Sequence, residues 1–91
     1  MAERLEIRVS GRVQGVGFRW HTRERAVALG LVGWARNRPD GTVRIVAEGP
    51  RDRLEQFLSW VREGPAHARV EHAEPTWSAA TGDTDGFRIT G

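Results

Sequence analysis

The chain has 91 residues, 38% of them apolar and 29% charged, with a formal net charge of +2. A chain of this length can bury roughly 60–65% of the surface its unfolded form exposes, enough for one core and not two, so one domain spanning residues 1–91 is expected. The balance excludes an intrinsically disordered chain, and no uncharged run approaches the roughly 20 apolar residues of a spanning helix.

Cysteine is absent, which excludes disulfides, thiolate catalysis and sulfur-ligated metals. Met1-Ala2-Glu3-Arg4 leads into alternating residues without an apolar signal core, so a cytoplasmic location is expected. The isoelectric point near 10.9 suggests a nucleic-acid binder, but it misleads. All 14 basic residues are Arg, and there is no Lys or Tyr. Above the α-amino group, near about 8, nothing titrates until Arg. The small net charge is the physical quantity, and it implies only a mild attraction for anions.

Leu5, Ile7 and Val9 alternate with Glu6, Arg8 and Ser10, the period of a half-buried strand. Three glycines then break the pattern within Gly11-Arg12-Val13-Gln14-Gly15-Val16-Gly17. From Phe18 the spacing turns helical: Phe18, Thr22, Ala26 and Leu29 share one face, with Gly30 as the stop. Leu31 to Asn37 reads as a second strand. Pro39-Asp40-Gly41 is turn chemistry, and Thr42 to Glu48 completes a hairpin.

Gly49-Pro50 opens a second helix, with Pro where its missing N–H does no harm. Leu54, Phe57, Leu58 and Val61 form its apolar stripe, and Gly64-Pro65 ends it. Val70 to Trp77 is a weaker strand whose Pro75 predicts an edge position. A polar loop over 79–86 leads to a short closing strand, Phe87-Arg88-Ile89. The order βαββαβ predicts a ferredoxin-like α+β two-layer sandwich, an antiparallel sheet with two helices on one face and the first strand near its centre.

A strand feeding a glycine-containing turn that opens a helix is a recurring anion site. Its amides point into one concavity, and the helix N-terminus adds positive polarity. Arg19, in the first helical turn, can fold its guanidinium over the same concavity and grip phosphate bidentately. On this spacing alone a tight connection and a solvated Arg explain the same residues. The loop also lacks Cys and Ser, so a phosphoenzyme formed there is not expected, and any hydrolysis must use water directly.

Val13-Gln14-Gly15-Val16-Gly17-Phe18-Arg19 resembles the acylphosphatase signature, in which a phosphate loop ends in the catalytic Arg. Leu29-Gly30-Leu31-Val32-Gly33-Trp34-Ala35-Arg36-Asn37, followed by Asp40-Gly41-Thr42-Val43, resembles the family's second signature, which carries the catalytic Asn. Phe57, Trp60, Gly64-Pro65, Ala68-Arg69-Val70 and Phe87-Arg88-Ile89 also fit, so the resemblance spans nearly the whole chain. Ala35, Arg44 and Pro75 depart from common family choices, away from the functional positions. The resemblance implies an acylphosphatase-like domain over residues 1–91 that hydrolyses carboxyl-phosphate anhydrides without metal or other cofactor. It implies that the amides of Gln14, Gly15, Val16, Gly17, Phe18 and Arg19, with the Arg19 side chain, bind phosphate, and that Asn37 positions the attacking water. The implied partners are a small acyl phosphate, and inorganic phosphate or other oxyanions in the loop. Nucleic acid and membrane are not expected partners, and the chain is expected to be a monomer.

Those residue types suit the chemistry. A carboxylate leaving group with a pKa near about 4 requires no general acid, and a loose phosphoryl transition state mainly needs positioning and charge stabilisation. Asn37 can orient water without the charge by which a carboxylate would repel the substrate.

Other features have plainer readings. His21, His67 and His72 lack metal-ligand spacing and read as surface residues. Trp20, Trp34 and Trp60 read as core or rim packing, with an acyl-chain contact as the lesser alternative, and Trp77 lies by the edge strand. Arg8, Arg12, Arg36 and Arg38 either gather near the loop and attract substrate or solvate strand surfaces. Two rival functions remain. RNA binding on the sheet surface is opposed by an outward set of Glu6, Arg8, Ser10, Arg44 and Glu48, which offers no stacking platform. A phosphate-sensing module without turnover, akin to the acylphosphatase-like domains of larger carbamoyl-phosphate-using proteins, would keep the same loop.

Overall fold

The computed structural model describes residues 2–91. Strands β1 (Ala2–Arg12), β2 (Val32–Asn37), β3 (Val43–Pro50), β4 (Arg69–Ala79) and β5 (Phe87–Thr90) form one sheet in the order β4-β1-β3-β2-β5. Helices α1 (Phe18–Ala28) and α2 (Arg51–Glu63) lie between β1 and β2 and between β3 and β4 in sequence. The expected two-layer α+β architecture is present, with β1 inside the sheet and the Pro75-bearing β4 at an edge.

The sheet departs from the wholly antiparallel expectation at one place. The closing strand β5 runs parallel to β2, pairing Gly33 with Phe87 and Ala35 with Ile89, which makes the sheet mixed and five-stranded. The chain returns to this edge from β4 at the opposite one, so β5 is not the partner of a hairpin and its direction is free to follow β2. Strand β1 also runs further than its alternation suggests. A register shift between Ser10 and Gly11 lets it continue along β4. At Gly11 a Cβ would lie 2.1 Å from the Arg69 carbonyl oxygen, so this first glycine serves the strand pairing and not the loop.

Period two sorts the strands into two faces. Leu5, Ile7 and Val9, with Val43, Ile45, Ala47 and Ala35, are fully buried against the helices. Phe18, Thr22 and Ala26 of α1 and Leu54, Phe57, Leu58 and Val61 of α2 complete that core. Burial of each large side chain contributes roughly 1.5–3 kcal/mol. Trp60 stacks on Phe57 with ring centroids 6.4 Å apart.

The other face carries charge. Arg36, Arg44 and Arg8 stand directly opposite one another across β2, β3 and β1, a like-charge row that is unfavourable by itself. It is offset by neighbours. Glu6 takes a bidentate pair from Arg44, Nε to Oε2 at 2.8 Å and Nη2 to Oε1 at 2.9 Å, which holds the Glu6 carboxyl below its ordinary value. Asp40 faces Arg8 at 3.5 Å. The Trp34 ring lies 4.9 Å from the Arg36 guanidinium and 5.2 Å from that of Arg44.

Candidate active site

Strands β1 and β2 are both antiparallel to β3 and β5 is parallel to β2, so β1, β2 and β5 end at the same edge of the sheet. Val9, Val43 and Asn37 form a cross-strand row near that edge, and Arg36 pairs with Thr90 beside it. The segment leaving β1 therefore crosses an edge already occupied by the ends of β2 and β5.

That segment, residues 13–17, is anchored at both ends by Val13 and Phe18, each 1% exposed. Between them Gly15 and Gly17 take φ of 74° and 76°, a left-handed conformation that costs an L-residue roughly 1–2 kcal/mol. No heavy atom lies within 4 Å of a Cβ built on Gly15, so conformation and not crowding demands glycine there. Gly17 is the N-cap of α1, makes no side-chain cap, and is followed by no acidic residue in the first turn. Among the described residues, none of the main-chain amides from Gln14 to Arg19 donates to a protein acceptor. The positive end of α1 lies beside Arg19, in the first turn of that helix.

The Arg19 guanidinium does not extend into solvent. Its Nη1 donates to the main-chain oxygen of Thr90 at 3.1 Å and contacts that of Gly91 at 3.4 Å. The end of β5 thus holds the cation beside the loop. A cavity of about 140 Å³ contains Gly15, Gly17, Phe18 and Arg19, with Trp20 and Ile89 on its rim.

Asn37 belongs to the helix-facing row of β2, and its Oδ1 is buried without a hydrogen-bond partner. An unpaired buried acceptor costs roughly 1–3 kcal/mol, so its retention asks for a ligand or water. The Gln14 side chain joins this strand end to the loop. Its Nε2 donates to the carbonyls of Arg38 at 2.8 Å and Thr42 at 2.9 Å. Thr42 is fixed in turn by Asp40, whose Oδ1 accepts from the Thr42 amide at 3.0 Å and hydroxyl at 2.6 Å. The hydroxyl and amide of Thr42 hold the Asp40 carboxyl below its usual value. Every residue of the two sequence motifs named for chemistry lies at this one edge.

The acylphosphatase family model matches residues 5–89. The chain belongs to the acylphosphatase family. It is 52% identical over 87 residues to an acylphosphatase of Salinibacter ruber, covering 96% of this chain and 92% of that one. The crystal structure of an acylphosphatase from Bacillus subtilis superposes with a TM-score of 0.92 at 39% identity, covering 97% and 98% of the two chains. HypF of T. kodakarensis contains a similar region, with a TM-score of 0.82 and 30% identity; the match covers 96% of this chain and 12% of that one. The chain is accordingly an acylphosphatase enzyme with a small acyl phosphate as its substrate.

Some sequence expectations found other places in this acylphosphatase. Arg8 and Arg38 line a separate cavity of about 390 Å³ on the charged face of the sheet, with Glu6, Asp40, Thr42 and Arg44, and neither lines the cavity that holds Arg19. Arg36 donates to the Thr90 hydroxyl at 3.3 Å. Trp34 is a half-buried aromatic on the outward face, where the expected outward set contained none. Trp77 packs on the core under the Arg51 guanidinium, 3.6 Å from its ring. His21 meets Trp20 edge to face, and among the described residues no three His, Asp or Glu side chains gather as metal ligands. Among the described residues no helix is long and apolar enough to cross a membrane. The anchoring of Arg19 by Thr90 and Gly91 was not legible in the motifs, because the acceptors are main-chain oxygens that carry no sequence signal.

Proposed function

We propose that this enzyme holds the PO₃ group of a carboxyl-phosphate anhydride in the concavity of the Gln14–Arg19 amides, closed by the Arg19 guanidinium, while Asn37 aims the attacking water. The observation that carries the reading is the unpartnered Asn37 Oδ1 at the same sheet edge as six free amides and an anchored guanidinium. The amides and Arg19 meet the charge of the transferring group, and preorganised donors of this kind are worth on the order of 10²–10³ in rate each. The Asn37 side-chain amide orients the water, whose oxygen attacks phosphorus, and the bond from phosphorus to the acyl oxygen breaks. The electron pair leaves on a carboxylate, which needs no proton. Asn is not a base, so the water proton passes to a phosphate oxygen, giving dihydrogen phosphate and carboxylate. Inorganic phosphate and other oxyanions are competing ligands of the same loop. The loop, Arg19 and Asn37 all come from one chain, which supports action as a monomer, and the cysteine-free composition supports a cytoplasmic location.

The test is phosphate release from a synthetic acyl phosphate in the presence of a chelator. Wild type is expected to turn over without metal. Arg19→Ala and Asn37→Ala are each expected to lose on the order of 10²–10³ in kcat/KM. Asn37→Ala should unfold at the same urea concentration as wild type or a higher one, because it removes an acceptor that lacks a partner. Full activity in either variant, or chelator-sensitive turnover, would defeat the mechanism. A wild type that binds phosphate and releases none would instead point to a phosphate-binding module without turnover.

A further inference from the structure

Among the described residues three large apolar side chains stand exposed, and two of them, Trp20 at 54% and Ile89 at 39%, border the cavity that contains Gly15, Gly17 and Arg19. Both are exposed, whereas Trp60 and Trp77 are partly buried against the hydrophobic core. Trp side chains bury 150–250 Å² where packing employs them, and folding leaves about half of the Trp20 surface exposed. The two residues reach the cavity from different elements. Trp20 follows Arg19 on the first turn of α1, and Ile89 precedes Thr90, the acceptor of the Arg19 guanidinium. The Trp20 ring meets the His21 ring edge to face, with centroids 5.1 Å apart and planes at 79°. Asn37 does not line this cavity.

We propose that Trp20 and Ile89 form the subsite for the acyl group, and that the enzyme prefers acyl phosphates whose acyl group is apolar and planar, an aromatic carboxylic acid being the type. The inference rests on the reading that the loop holds phosphate. A substrate fixed by its PO₃ group carries its acyl group one bridging oxygen away, at the cavity mouth, where these two side chains supply apolar surface. An aromatic acyl group stacks on Trp20 and covers Ile89. Acetyl offers too little surface to gain from either. The contact is to a part of the substrate that does not react, so it acts on KM more than on kcat.

The experiment compares benzoyl phosphate with acetyl phosphate in wild type, Trp20→Ala, Trp20→Phe and Ile89→Ser, each checked for native circular dichroism. In Trp20→Ala the ratio of kcat/KM for benzoyl over acetyl phosphate is expected to fall roughly tenfold, mainly through KM for benzoyl phosphate. Trp20→Phe is expected to restore most of the ratio, and Ile89→Ser to lower it less than Trp20→Ala. An unchanged ratio in Trp20→Ala, or equal losses on both substrates, overturns the subsite while leaving the phosphate loop assignment in place. A wild type that hydrolyses neither substrate overturns the hydrolytic reading on which the subsite rests, and a wild type that also fails to bind inorganic phosphate overturns the loop assignment. If sedimentation shows wild type dimeric and Trp20→Ala monomeric with the ratio unchanged, the rim is a contact between copies of the chain and the proposal fails.

Discussion

Arg19 and Thr90, 71 residues apart, are joined by a hydrogen bond of 3.1 Å from the guanidinium to a main-chain oxygen. Because β5 runs parallel to β2, its end arrives beside the end of the strand that carries Asn37. One short strand thus fixes the distance between the cation and the amide. The bond also occupies an Nη1 donor, which limits the guanidinium's rotation and leaves its remaining N–H groups for an anion.

Removing Thr90 and Gly91 should free that side chain. A chain ending at Ile89 is expected to lose roughly tenfold or more in kcat/KM, since a small misplacement of a positioning group costs on this scale. Its inhibition constant for inorganic phosphate should rise in parallel. Steady-state kinetics with phosphate as competitor checks both, and unchanged values would show that the anchor is dispensable.

Gln14 is a positioning residue through its side chain. Two hydrogen bonds of 2.8 and 2.9 Å tie the loop to the carbonyls of Arg38 and Thr42, on either side of the turn after Asn37. Gln14→Ala should therefore lower kcat while the loop amides and Arg19 remain to bind phosphate, so that KM changes less than kcat. Stability should fall by about 1–2 kcal/mol for two lost bonds, read from urea unfolding. Gln14→Glu, which keeps the shape but turns a donor into a charge facing two carbonyls, should be the worse of the two.

Glu48 links stability to pH. It is 4% exposed on the charged face. Burial pushes its carboxyl up, but the amides of Thr81 and Gly82, the Thr81 hydroxyl and Arg4 outweigh burial and bring it down from 4.5 to about 2. A carboxylate whose pKa is lower in the folded chain contributes stability that is complete above its unfolded value and is lost as pH falls through the folded one. Wild type should therefore lose stability between about pH 4.5 and pH 2, by an amount on the order of 3 kcal/mol for this group. Glu48→Gln should be less stable at pH 7 and show a flatter dependence over that window. Urea midpoints taken from pH 7 to pH 2 measure the difference, and equal slopes would assign the acid sensitivity elsewhere.

Elements with a strong local rhythm were legible from sequence. The alternation from Leu5 to Val9, the stripe of Leu54, Phe57, Leu58 and Val61, and the face of Phe18, Thr22 and Ala26 all appear where their spacing puts them. Pro75 marked β4 as an edge because a proline cannot complete an interior ladder, and the sheet order agrees. The direction of β5 was not legible, since its four residues have no turn joining them to β2. Trp34 illustrates the same limit. A strand of six residues shows that its two faces differ, but the partner elements decide which face meets the helices.

What the sequence determined by itself is the local chemistry. Glycines permit the loop's positive φ, a first-turn Arg supplies the cation, and the motif spacing names the residues, because backbone preference and side-chain type are properties of neighbours in the chain. What the tertiary structure decided is which groups meet. The carbonyl that holds Arg19, the side of β2 on which Asn37 lies, and the rim formed by Trp20 and Ile89 all join residues from distant parts of the chain. Those meetings are set by strand order and register, which follow from packing the whole core and are written in no single segment.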